Sequence, residues 1–186
     1  MRPATLLDVP LLDRWGQQPH MISATTDDPM AEKAFEDASW PDELEAQNEH
    51  SRYLIAELDG RAIGAMQIID PHLESTHYWG EISPNLRALD IWIGEPDCLG
   101  KGFGEAMMRL AFQMCFADPN VTAVVIDPLT SNARAHQFYR RLGFRVLDRR
   151  MFGEDDCLVH ELQREDWRNR FPQDAEEDPV MINRCD

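Results

Sequence analysis

Six consecutive residues, Leu99-Gly100-Lys101-Gly102-Phe103-Gly104, set three glycines around one lysine just ahead of an apolar stretch of helical period. Glycines so spaced let the backbone turn sharply and keep side chains away from successive N–H groups, and a helix starting there adds partial positive charge. The chemistry on offer is an anion cradle, with Lys101 adding charge at its rim. It is not a P-loop, because no Ser or Thr follows Lys101, and its last glycine is misplaced for a dinucleotide fingerprint. Ten residues before Gly100, Asp90 interrupts the apolar run Leu89-Asp90-Ile91-Trp92-Ile93. On a strand its side chain faces away from both neighbours, and a carboxylate there is costly unless a cation uses it. That cation is either the amine of a ligand or an arginine such as Arg87 in a strand-edge ion pair. Asp127 ends a second apolar run and has two readings, an Asp-Pro turn with Pro128 or a second carboxylate that grips a polyamine together with Asp90. Four scattered cysteines (Cys98, Cys115, Cys157, Cys185) and six histidines (His20, His50, His72, His77, His136, His160) show no ligand spacing, so no metal is expected. Cys98 stands beside the glycine turn, but no histidine pairs with it in sequence, which disfavours covalent catalysis through its thiol.

These residues need elements to hold them. After a short opening strand, Asp8-Val9-Pro10 has the form of a helix start, with Leu11, Leu12 and Trp15 on one stripe. Loops and short helices follow through an acidic stretch. Residues 52–58 and 62–69 flank Asp59-Gly60, a two-residue hairpin signal. A strand over 86–93 leads through the glycine turn into a helix over 103–116; the pattern repeats as a buried strand over 121–126 and a helix from about 131 to 142, ended by Gly143. Strands near 144–148 and 157–162 complete a mixed central sheet flanked by helices, an α/β (α+β) domain. We expect one domain over 1–170 and an acidic, mobile or surface-draped tail over 171–186.

With 186 residues, 43% of them hydrophobic, the chain can bury a core without disulfides or a structural metal. No apolar run is long enough to span a membrane and the first residues lack the apolar stretch of a signal peptide, so a cytoplasmic location is expected. A formal net charge of −16 repels nucleic acid and anionic membranes and draws in cations, so the expected partner is a small cationic amine. Plain solubility is the competing reading of that charge. The acid concentrates between Asp27 and Glu49, where nine carboxylates face one base, Lys33, and six arginines cluster between Arg134 and Arg150. Spacing alone favours two solvated faces over two ligands of opposite charge.

The turn 99–104 resembles the phosphate loop [QR]-x-x-G-x-[GA] of the GNAT acyl-CoA-dependent N-acetyltransferases, matching at Gly102 and Gly104 with Leu99 in the place of Gln or Arg. Asn132-Ala133-Arg134-Ala135-His136-Gln137-Phe138-Tyr139-Arg140-Arg141-Leu142-Gly143-Phe144 is similar to a second family element, N-x-x-A-x-x-F-Y-x-x-x-G-F. Ala88-Leu89-Asp90, Asp118-Pro119, Asp127-Pro128 and Ser131-Asn132 sharpen the likeness toward aminoglycoside 6′-N-acetyltransferases, which share the Leu99 variant. The resemblance runs from about Tyr53 to Phe144. It implies a single-domain GNAT fold, acetyl-CoA as cofactor, and direct acetyl transfer to a primary amine in a ternary complex. By resemblance, Asp90 binds the amine and either deprotonates it, where burial raises its pKa, or only orients the cation; Tyr139 is the acid that protonates the departing thiolate, unless its ring is core packing alone. The backbone of Ile91, Trp92 and Ile93 pairs with pantetheine, and Leu99, Gly100, Lys101, Gly102, Phe103 and Gly104 hold the pyrophosphate. Asn132 caps its helix, contacts pantetheine, or does both. Trp79 and Glu81 are candidate walls of the acceptor pocket beside Asp90 and Asp127, with packing as the other reading of Trp79. Polyamines, siderophore-precursor amines and lysine fit the same chemistry, and a non-catalytic acyl-CoA-binding module is the rival of another class. The protein is expected to be a monomer or homodimer.

Overall fold

The computed structural model describes residues 1–35 and 38–176. A short β1 (Arg2–Pro3) and a single 3-10 turn precede α1 (Val9–Gly16), α2 (Pro19–Thr25) and α3 (Trp40–Glu45). β2 (Ser51–Leu58) and β3 (Arg61–Ile69) form the expected hairpin, with Asp59 and Gly60 at φ 50° and 79° as its tight turn requires. A long irregular segment then reaches β4 (Leu86–Ile93). Beyond a 3-10 turn at Pro96–Cys98 come α4 (Phe103–Phe116), β5 (Ala123–Ile126), α5 (Ala133–Arg141), β6 (Arg145–Phe152) and β7 (Asp155–Gln163). Gly143 stops α5 at φ 99°, and α6 (Arg164–Arg170) and α7 (Pro172–Glu176) close the described chain. No helix among the described residues is long and apolar enough to cross a membrane.

The strands form one seven-stranded sheet in the order β1-β2-β3-β4-β5-β7-β6, antiparallel except where β4 runs parallel to β5. Strand alternation sorts its side chains onto two faces. Leu54, Met66, Leu89, Val124 and Leu162 face α4, α5 and α6 and pack with Met108, Phe112 and Leu142. The opposite face is divided. Ile55, Ala65 and Trp92 lie under the first three helices with Trp15 and Trp40. Leu86, Ala88, Val125 and Val159 lie under the segment before β4, with Trp79 and Phe152. Asp90, two residues from both Ala88 and Trp92, falls on the boundary between these two clusters.

The domain boundary expected at residue 170 does not coincide with the end of packing. Phe171 and Ala175 pack against the core, Phe171 lies under the Arg109 guanidinium at 5.3 Å, and Arg109 makes a two-point ion pair with Asp174 at 2.6 and 2.7 Å. One aromatic ring and one matched carboxylate are enough to dock an otherwise acidic segment. Residues 177–186 of the expected tail lie outside the described residues.

Candidate active site

The site begins where the sheet stops being a sheet. β4 pairs with β5 only at Leu86–Ala88 against Ala123–Val125, then continues for five residues while β5 ends and the chain turns away at Asp127-Pro128. The backbone register fixes what the resulting gap sees. The Gly94 N–H donates to the Ile63 carbonyl at 2.9 Å, and opposed residues of an antiparallel pair alternate between bonded and non-bonded. The polar groups of Asp90 and Trp92 therefore point at β3, and those of Leu89, Ile91 and Ile93 point into the gap. His20, at the start of α2, sits over its far end with Nε2 2.8 Å from the Ile93 carbonyl. A ligand with amide groups can extend the sheet along this free edge.

Acidic and phenolic groups flank the gap. Asp90 is half-buried, and its carboxylate makes no hydrogen bond to the described residues. Burial, and secondarily the nearby Asp127 carboxylate, push its carboxyl up to about 7. Asp127 lies at the end of β5 and accepts a hydrogen bond from the Tyr78 hydroxyl at 2.7 Å; burial and the Asp155 charge raise it, and that hydrogen bond opposes the rise. Asp127 lies close enough to Asp90 to act on its charge, and Arg87 is committed elsewhere, to Asp70 and Asp118. Asp27, in the acidic loop after α2, accepts from the Ser131 hydroxyl at 2.7 Å and, after burial, is the largest influence raising Asp155. Asp90, Asp127, Asp155 and Asp27 thus form a series of carboxylates each acting on the next.

Across the gap, on the other face, Tyr139 projects from α5 between Phe138, Phe144 and His160, with ring centroids at 5.2, 5.6 and 6.1 Å. Its hydroxyl has no hydrogen-bond partner among the described residues. Burial, then Asp90 and Asp127, raise its pKa, which keeps the phenol protonated at neutral pH. Behind it, the Nε2 of His136 contacts the Thr130 carbonyl at 3.2 Å, and its Nδ1 lies 2.9 Å from His160 Nε2. A carbonyl only accepts, so His136 donates to it through Nε2. His160 is left neutral, with its pKa lowered to about 4 by burial and by His136.

At the far end of β4 the glycine turn is open. Gly100 and Gly102 have φ 71° and 85°, and a Cβ on either would meet nothing within 4 Å. Their glycine is thus required by backbone conformation, and the same open space admits a ligand. The first bond of α4 runs from the Ala106 N–H to the Gly102 carbonyl at 3.1 Å, leaving the N–H groups of Phe103, Gly104 and Glu105 free. Leu99 is half-buried and Lys101 exposed at this rim. Gly104 lies where a Cβ would touch the Phe138 ring at 3.5 Å, an ordinary contact that joins α4 to α5. Asn132 caps α5, its Oδ1 accepting from the Ala135 N–H at 3.0 Å. Cys98 is buried in the α4 core.

Two expected wall residues are not brought to Asp90. Trp79 is buried against Phe152 and Tyr78, with centroids at 5.2 and 5.9 Å, and with the exposed Glu81 it lines a separate groove over Leu86, Val125 and Val159. The Phe152 ring accounts for this, because it stacks with Tyr78 at 4.6 Å and orients that ring so that its hydroxyl reaches Asp127. Tyr78, His20, Asp27 and the histidine pair were missed in the sequence. Only the adjacency of Tyr78 to Trp79 could have flagged one of them, since the rest depend on contacts across 24 to 104 residues.

Comparison with known proteins fits this arrangement. A family model described as "Acetyltransferase (GNAT) domain" matches residues 5–152. Aminoglycoside N(6′)-acetyltransferase type 1 of Klebsiella pneumoniae is 35% identical over 91 residues, 48% of this chain and 45% of that protein. The kanamycin resistance protein of Rhizobium radiobacter is 37% identical over 73 residues, 39% of this chain and 68% of that protein. The first of these matches thus spans less than half of the relative. The solved structure of aminoglycoside acetyltransferase AAC(6′)-Ib with coenzyme A and kanamycin superposes with TM-score 0.74 at 25% identity, covering 90% of this chain and 96% of the other. With a family match over most of its length and this split-sheet architecture, the chain belongs to the GNAT acetyltransferase family.

Proposed function

We propose that this protein transfers the acetyl group of acetyl-CoA to a primary amine of an aminoglycoside-like polycation, by direct attack with both ligands bound. The observation that carries the reading is the pairing, across an unpaired strand edge, of a carboxylate with a raised pKa and a protonated phenol. The residues present fit the cofactor: Leu99 to Gly104 offer free backbone N–H groups, Ile91 and Ile93 offer amide partners, and Asn132 still has its side-chain N–H groups to give. When bound, acetyl-CoA supplies the thioester carbon to which the amine nitrogen bonds as the carbon–sulfur bond breaks.

Asp90 orients the incoming ammonium and takes its proton, freeing the nitrogen lone pair. Its raised pKa narrows the mismatch with an amine near 10, which an ordinary aspartate would leave at about six units. Asp127, held by Tyr78, gives the cation a second contact, and Asp27 and Asp155 extend the acidic series to further amines of the acceptor. Tyr139 donates its hydroxyl proton to the leaving sulfur. Several amines on one acceptor match several separated carboxylates, and this favours a polycation over a monoamine. The AAC(6′)-Ib structure with kanamycin and coenzyme A supports that choice.

Free-thiol release from acetyl-CoA should be measured across aminoglycosides, polyamines, hydroxylated amines and lysine peptides. Turnover on aminoglycosides is expected, with Tyr139→Phe lowering kcat about 100-fold and leaving coenzyme A affinity unchanged. Turnover confined to another amine would overturn the acceptor assignment, and cofactor binding with no turnover on any amine would indicate a sensor.

A further inference from the structure

Glu95 is a charged side chain placed inside the protein with no part in the chemistry above. It lies two residues past the end of β4 and is 8% exposed. Its Oε1 accepts from the Trp15 indole N–H at 2.8 Å and from Arg14, and its Oε2 accepts from Arg61 at 2.9 Å. These donors come from α1 and from the β2–β3 hairpin, so one carboxylate ties three parts of the chain together. The three hydrogen bonds, led by that of Arg14, hold Glu95 at about 2, well below the usual range.

The backbone around Glu95 is equally constrained. Both Gly94 and Glu95 donate to the Ile63 carbonyl, at 2.9 and 3.2 Å. A Cβ on Gly94 would lie 2.0 Å from the Trp15 ring, so the indole packs directly on the backbone here. The Glu95 carbonyl accepts from the Cys98 N–H at 3.0 Å, and the Pro96 carbonyl from the Leu99 N–H at 3.2 Å, which folds the turn that delivers the chain to Gly100. Arg61 also makes a two-point pair with Asp97 at 2.9 Å. Gly100, Lys101 and Gly102 are themselves exposed, so their N–H directions are set from the two ends, by α4 and by this turn.

We infer that Glu95 is a positioning residue for cofactor binding: the Arg14–Trp15–Arg61 clamp on its carboxylate fixes the turn that aims the backbone donors of the glycine loop. This rests on the reading that the 99–104 loop holds the cofactor pyrophosphate. An anion site made of backbone N–H groups depends on their alignment, and a shift of about 1 Å can cost up to about 100-fold. Glu95→Gln keeps the size of the side chain but turns an amide N–H toward three donors. Arg61→Met removes one donor from an exposed hairpin and leaves the buried carboxylate its other two.

The test is calorimetric titration of the full chain with coenzyme A, well below each variant's melting temperature, alongside steady-state kinetics. Glu95→Gln is expected to weaken coenzyme A binding and raise the acetyl-CoA KM about 10-fold, with kcat and the acceptor KM within twofold. Arg61→Met is expected to give about threefold in the same direction. Gly102→Val, strained at its positive φ, tests the loop itself. If it abolishes binding while Glu95→Gln binds as wild type, the positioning role is overturned and the loop reading stands. If Gly102→Val binds normally, the loop reading falls and the inference with it. If Glu95→Gln does not fold, Arg61→Met decides, and unchanged affinity there overturns the inference. A fall in kcat at saturating cofactor with KM unchanged also overturns it.

Discussion

Crowding Asp90 and Asp127 together beside the split has a thermodynamic signature. The folded pKa of Asp90, about 7, lies above its ordinary value of 3.8. From about pH 4 to 7 the unfolded chain has lost this proton and the folded chain still holds it. Stability is therefore lost as pH rises through that window, because the unfolded state binds fewer protons. Asp90→Asn removes the penalty, so its melting temperature is expected to exceed wild type by several degrees at pH 8 and to match it near pH 3.5. Activity runs the other way. Wild-type kcat/KM is expected to climb as pH rises through about 7, and Asp90→Asn to be nearly inactive without that limb. His160, lowered to about 4, is already neutral there and cannot supply it. A pH–rate profile paired with calorimetric melting at both pH values checks both signs.

Elements position these residues, and here the sequence was legible to different depths. Hairpin, glycine turn, both long helices and the buried strand between them were readable because each carries a local signal: Asp59-Gly60, the period of Met107 and Ala111, the run Val121–Ile126, and Gly143. Asp90 stood out because a strand alternates. The remainder of the site was not readable, because it comes from contacts between distant segments. Nothing near Trp79 in sequence says that Phe152 will bury that ring and turn Tyr78 toward the cleft, and nothing near Phe171 says that Arg109 waits for Asp174. Glu95 looked like one acid among 34 until α1 and the hairpin converged on it. The same convergence leaves no room for a side chain at Gly94. Gly94→Ala puts a methyl group 2.0 Å from the Trp15 ring and is expected to cost about 1–3 kcal/mol or more, measured by urea denaturation.

At the scale of the whole molecule, the charge of −16 adds to the carboxylates grouped at Asp90, Asp127 and Asp155. Such a field concentrates cations and is screened over about 8 Å at physiological ionic strength. The KM for a polycationic acceptor is expected to rise several-fold between 20 and roughly 300 mM salt, and that of a monoamine to change little; steady-state kinetics over a salt series checks this. The split that forms the cleft also divides the sheet as a folding object. β1 to β4 form one antiparallel set and β5 to β7 another, and only three paired positions on β4 and β5 stitch them together. So short a seam is expected to let the two halves open separately, against the shared packing on α4 and α5. In native-state hydrogen–deuterium exchange the amides of β2 and β3 are expected to follow one opening free energy and those of β5 and β7 another. A ligand bridging the seam is expected to draw the two values together.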